Sequence, residues 1–263
     1  MRIALAVEYD GSGFRGWQTQ PGGGTVQDAL QEALQQFAGV PLRVVCAGRT
    51  DAGVHAQGQV VHFDSALDRP MFAWVRGINT FLPPAVAVRW AQAVDDDFHA
   101  RFSAYARRYR YLLINRVHRS GLWHGRVGWH HSPLDLAAMQ NGAAQLLGER
   151  DFSAFRAAEC QASSPVKTMH KADIQRLGEL IVFDFEASAF LHHMVRNLVG
   201  SLLHVGKGKR PPEWIGELLA AGDRRLAAPT FAAAGLYLAA VRYPSRWRLP
   251  AVDETFSLPV AGR

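Results

Sequence analysis

Apolar and polar positions divide the chain into short alternating runs and longer stripes of helical period. Residues 2–9 (RIALAVEY) read as a strand, and a glycine-rich loop follows from Gly11 to Gly24. Thr25 is suited to cap a helix in which Val26, Leu30, Leu34 and Phe37 share one face, and Gly39 with Pro41 ends it. A strand is expected at 42–47 and a loop at 48–56. QVVHFD at 59–64 then alternates as a strand should. Pro70 opens a second helix with Met71, Trp74, Val75 and Ile78 as its apolar stripe, and AVAVRWAQAV at 85–94 closes the series as a strand. The order is β-α-β-β-α-β, the ferredoxin-like pattern.

The same order restarts near residue 104. Strands are expected at 104–114, 166–176, 180–187 and 235–243. Helices are expected from Ser132 and Pro133 to about Leu147, at 190–205, and from Pro211 to Ala221. No sequence repeat accompanies this, so the duplication is one of architecture. The expected class is α+β: two similar ferredoxin-like halves with mixed or antiparallel sheets, joined around a central cleft. The acidic run before HARFS interrupts the periodicity. The halves are therefore placed at 1–103 and 104–245, and 246–263 is read as a tail lying along the surface.

Composition narrows the function class. The 263 residues are 48% hydrophobic, typical of a globular chain, and 29 Lys and Arg against 23 Asp and Glu leave a net charge of +6, which suits a polyanionic partner. The apolar run at the N-terminus stops at Glu8, and no stretch approaches a membrane span, so a soluble cytoplasmic protein is expected. Cys46 and Cys160 form no CxxC pattern and are read as reduced.

Three patterns resemble cofactor sites and fail on their context. Gly11, Gly13 and Gly16 spell GxGxxG after a strand, but the following residues carry Pro21 and three consecutive glycines where a dinucleotide site needs a helix. The Gly200 to Gly208 stretch lacks the spacing and the Ser or Thr of a P-loop. His192 and His193 are adjacent on an expected helix, where neighbouring side chains diverge, and zinc spacing is absent elsewhere. No metal and no nucleotide cofactor is expected.

A band of Arg101, Arg107, Arg108 and Arg110 interleaves with Phe102, Tyr105, Tyr109 and Tyr111. On a strand, 105, 107, 109 and 111 share a face, which suits RNA: guanidinium groups meet phosphates and rings stack on unpaired bases. The competing reading has the tyrosines in a core and the arginines solvated at an edge. Lys207, Lys209 and Arg210 add positive charge after a helix.

The loop GRTDAGVHA at 48–56 holds one acidic residue, Asp51, between Arg49, Thr50 and Gly53. By composition alone it is a turn as readily as a catalyst. Its nine residues resemble the signature of the tRNA pseudouridine synthase A family. So do YDGSGFRGWQ at 9–18, RGINTFLP at 76–83, FHARFSA at 98–104, RRYRY at 107–111 and FLHHMVRNLVG at 190–200. The resemblance implies conversion of uridine to pseudouridine at positions 38, 39 and 40 of the tRNA anticodon arm by a cofactor-free homodimer. It implies Asp51 as the essential carboxylate, either attacking the sugar carbon or removing the neighbouring 2′ proton. It further implies Arg196 as the ion-pair partner of Asp51, Arg49 as the residue that extracts the target base or fills its place, and Tyr109, in preference to Tyr111, as the ring against the uracil. Arg15, Arg107, Arg108, Arg110, Lys207 and Lys209 are the expected contacts to the RNA backbone. A non-catalytic RNA-binding protein is the rival reading, weakened because the aromatic sequence of an RNA-recognition sheet is missing.

Overall fold

The computed structural model describes residues 1–250. Its strands are β1 (Arg2–Tyr9), β2 (Val45–Cys46), β3 (His55–Asp64), β4 (Val86–Val94), β5 (Ala106–Asn115), β6 (Gly128–His130), β7 (Gly148–Asp151), β8 (Val166–Leu177), β9 (Leu180–Ala187) and β10 (Leu236–Arg242). Its α-helices are α1 (Val26–Ala38), α2 (Met71–Phe81), α3 (Leu136–Ala144), α4 (Met194–Gly206) and α5 (Trp214–Ala221).

All ten strands join one sheet in the order β4-β1-β3-β10-β5-β9-β8-β7, with β2 on β3 and β6 on β5. Each half carries the strand arrangement of the ferredoxin-like pattern, and the two meet where β10 runs parallel to β3, pairing Tyr237 with His55 and Leu238 with Ala56. The remaining neighbours on the main path are antiparallel. The mixed α+β architecture read from the periodicity is the one observed.

Local chemistry accounts for the elements that position the site. Thr25 accepts from the Asp28 amide while the Asp28 side chain accepts from the Thr25 amide, a complete capping box that starts α1. Gly39, with φ 76°, ends it in the left-handed region. Ile3, Leu5, Val7 and Tyr9 pack beneath Leu30, Leu34, Trp74 and Ile78, within one core that continues under α4 through Leu198 and Leu202. A smaller cluster of Ala4, Val60, Phe98 and Trp247 covers the opposite face.

Several expectations on extent need correction. The strand placed at 42–47 is only Val45–Cys46, and β3 begins at His55, inside the stretch read as a loop. The helix placed from Ser132 to Leu147 spans Leu136–Ala144, with Asp135 capping it through the Ala138 amide. The helix placed at 190–205 starts only at Met194, which alters the site. Strands β6 and β7, of three and four residues, were not expected. Of the tail placed at 246–263, Trp247 is buried against Phe98 and residues 251–263 lie outside the described residues. Among the described residues, no helix is long and apolar enough to cross a membrane.

Candidate active site

Asp51 lies in the connection between β2 and β3, and buried groups hold that connection at several points. Gln59, fully buried on β3, accepts from the Gly48 amide at 3.3 Å and donates to its carbonyl at 2.5 Å. Tyr9 Oη and Thr50 Oγ1 are 2.8 Å apart, and the Trp17 amide donates to the Thr50 carbonyl at 2.9 Å. The turn after Asp51 closes with the Val54 amide on the Asp51 carbonyl at 3.1 Å, and φ of 75° at Gly53 explains the glycine there.

The glycine-rich segment after β1 is a packing device. A Cβ on Gly11 would stand 2.0 Å from the Val54 carbonyl oxygen, so only glycine lets the 11–17 segment lie against the Asp51 loop. That segment forms a single 3-10 turn at Gly11–Gly13, and α1 begins only at Val26. His55 ties the same region together: its Nδ1 accepts from the Gly11 amide at 3.0 Å, leaving Nε2 to donate toward the Gly125 and Ala234 carbonyls.

The C-terminal half supplies the groups that face the carboxylate. Arg196, in the first turn of α4, donates from Nη1 to Asp51 Oδ2 at 3.1 Å and from Nε to the Phe231 carbonyl at 2.8 Å. The second contact orients the guanidinium. Tyr111 holds the same segment by donating to the Ala232 carbonyl at 2.9 Å. Asn197, fully buried, donates to the Phe155 carbonyl and accepts from Arg224 and Thr230, which fixes the first turn of α4 in place.

His192 and His193 do not diverge as expected. The helix begins one residue after His193, which adopts φ 60°, an uncommon conformation for a residue with a side chain. The two rings stand 4.0 Å apart, with His192 Nε2 at 3.3 Å from Asp51 Oδ1 and His193 Nε2 at 3.2 Å from Oδ2. Burial lowers the pKa of His193 more than the charge of Asp51 raises it, which favours a neutral ring at neutral pH. The ligating atoms of Asp51, His192 and His193 all lie within 4.8 Å of one another, a grouping that a metal ion could use. The Arg196 guanidinium contacts the same Asp51 oxygen, however, and its charge opposes a cation there. The arrangement holds the Asp51 carboxylate at both oxygens.

Tyr109 closes the wall beside the loop. It is 9% exposed, packs edge-on against Phe190 at 4.9 Å, and its hydroxyl would lie 3.7 Å from a Cβ built on Gly48. Burial first, and then the charge of Asp51, push its pKa well above the usual phenol value. The Tyr109 hydroxyl is therefore neutral at neutral pH. Tyr111 is fully buried and committed to Ala232, so of the two tyrosines Tyr109 is the one placed by Asp51.

The other expected contacts scatter. Arg49 is exposed beside Asp51, and Arg15 is exposed on the glycine-rich segment, where it donates to the Pro21 carbonyl. Arg107 shares the Tyr109 face but donates to the carbonyls of Ala47, Arg101, Ala104 and Ser188. Arg108 and Arg110 fall on the alternate face of β5, where both meet Asp184 together with Lys171. The band thus divides: Tyr109 and Tyr111 belong to the core, and two of its arginines belong to a carboxylate. Lys207 and Lys209 follow the far end of α4, which lies about 15 Å along the helix from Arg196. Gln59, Asn197 and the histidine pair were missed as site-building residues, since their roles depend on contacts distant in sequence.

Comparison with known proteins agrees across most of the chain. The family described as tRNA pseudouridine synthase matches residues 5–103 and 143–244. A tRNA pseudouridine synthase A of Dechloromonas aromatica is 64% identical over 256 residues, covering 97% of this chain and 98% of its own. Proteins of the same description from Burkholderia multivorans and Thiobacillus denitrificans are each 58% identical, over 95% and 97% of this chain and 93% and 98% of theirs.

Proposed function

Because the chain belongs to the tRNA pseudouridine synthase family, we propose that it isomerises uridine to pseudouridine at positions 38, 39 and 40 of the tRNA anticodon arm, with Asp51 as the reactive carboxylate. The observation that carries this reading is the setting of Asp51. One carboxylate on a loop held at Gly48, Thr50 and Val54 meets Arg196, His192 and His193 from the other half of the fold.

The reaction breaks the bond from the sugar carbon C1′ to N1, turns the freed uracil and rejoins it through C5. C5 loses a proton and N1 gains one, so atoms and electrons balance without a redox partner. An ionised carboxylate suits two routes: attack on C1′, forming and later breaking an ester, or removal and return of the 2′ proton. In both, Arg196 donates to Asp51 Oδ2 and holds the carboxylate in place.

Tyr109 supplies a ring for the uracil to rest against and a neutral hydroxyl that can relay a proton rather than a free phenolate. Arg49, exposed beside Asp51, is assigned to extraction of the target base. Arg15 lies on the exposed glycine-rich segment, within the same half, as a contact to the RNA backbone. Lys207 and Lys209 are assigned to a more distant part of the tRNA. A cytoplasmic homodimer without cofactor completes the reading, and sedimentation of the purified protein checks the dimer. Mapping pseudouridine in tRNA treated with the protein tests the whole: new sites at 38, 39 and 40 are expected, and unmodified uridine there overturns the assignment.

A further inference from the structure

We propose that Phe102, with Arg101 beside it, is a stacking platform for an unpaired nucleotide of the bound RNA next to the target uridine. This rests on the RNA-isomerase reading above and adds a binding residue outside the Asp51 pocket.

The ring is 75% exposed, so it contributes little to the core, yet its backbone and orientation are closely defined. His99 Nδ1 accepts from the amides of both Arg101 and Phe102 at 3.2 Å. The Ser103 amide donates to the His99 carbonyl at 2.8 Å, and the His99 amide donates to Ser103 Oγ at 2.9 Å. The His99 ring then lies 4.3 Å from that of Phe102, tilted by 31°. An aromatic ring held in place before binding loses little freedom when a base stacks on it.

Its neighbours choose the partner. The Arg101 guanidinium stands 5.5 Å from the centre of the Phe102 ring, and Tyr105 follows at 56% exposure. The turn is joined to the catalytic loop through Arg107, whose guanidinium donates to the carbonyls of Arg101 and of Ala47, four residues before Asp51. Arg49, exposed two residues before Asp51, adds a second guanidinium on that loop. An exposed ring beside a cation, tied to a loop that receives a uridine, has the composition of a single-strand RNA surface: stacking for a base and guanidinium groups for its phosphates.

Equilibrium binding of an anticodon-arm RNA is the test, with Phe102→Ala, Phe102→Trp and an RNA carrying an abasic nucleotide beside the target. Phe102→Ala is expected to weaken binding about 5- to 100-fold with an unchanged melting temperature, and Phe102→Trp to bind at least as tightly as the native protein. The abasic RNA should lose affinity for the native protein but little further for Phe102→Ala. Arg101→Ala should lower the salt slope of binding by about one ion. Binding of Phe102→Ala within twofold of native, or equal losses from the abasic change in both proteins, overturns the platform. Failure of the native protein to isomerise uridine would instead overturn the enzymatic reading, so the two failures are distinguishable.

Discussion

Replacing Arg196 with Met removes a guanidinium that touches Asp51 Oδ2 at 3.1 Å and the Phe231 carbonyl at 2.8 Å while keeping most of the apolar stem. A hydrogen bond to a charged group contributes about 1.5–3 kcal/mol, and one decade of rate corresponds to about 1.4 kcal/mol. Asp51 keeps both histidines, so the carboxylate stays in the pocket but loses its cation and its orientation. The single-turnover rate at saturating tRNA should therefore fall about 10- to 150-fold, with the upper end expected once bound RNA excludes water. Arg196→Lys keeps the charge but cannot reach both partners with one ammonium, and should lie between native and Met. Filter binding should show tRNA affinity within about threefold, because the lost contact is to Asp51 and not to RNA. A single-turnover rate within threefold of native, or a loss appearing only in affinity, refutes the assigned pairing.

Gly11→Ala would push a Cβ to 2.0 Å from the Val54 carbonyl, so a stability loss on the order of 1–3 kcal/mol by urea titration, with a parallel loss of activity, is expected. His62 is 5% exposed and its Nδ1 accepts from the Ala100 amide; burial above all, then the charges of His99 and Arg2, lower its pKa from 6.5 to about 4. Between those values the unfolded chain binds more protons, so this stability is fully present above pH 6.5 and lost as pH falls toward 4. Native protein should lose about 3 kcal/mol more than His62→Gln between pH 7 and 4, measured by denaturant unfolding. Arg108→Gln should lower the melting temperature by breaking the contact with Asp184, yet leave tRNA affinity unchanged, because that side chain lies on the face of β5 away from Asp51.

Periodicity was enough to find the long elements because each buries a continuous apolar set: Leu30 and Leu34 on one face of α1, Trp74 and Ile78 on one face of α2, and Ile3 to Val7 on both faces of β1. It missed β6 and β7 because three or four residues carry too little pattern. It began α4 early because FLHH continues the apolar run, while the positive φ of His193 comes from tertiary placement beside Asp51. Asp51, Arg196 and Tyr109 were legible through shared motifs, whereas the support of Gln59 on Gly48 pairs residues that no periodic pattern connects. How the arginine band divides was not legible, because charge along one strand says nothing of Asp184, which meets Arg108 and Arg110 from β9.

If the Asp51 carboxylate performs the isomerisation, the reaction depends on its charge. Tritium release from tRNA labelled at uridine C5 measures the reaction directly, and Asp51→Asn keeps the shape of the side chain while removing its charge. The native protein should release label from the anticodon arm, and Asp51→Asn should bind the same tRNA and release none above background. Release by Asp51→Asn at the native rate would overturn the role assigned to Asp51.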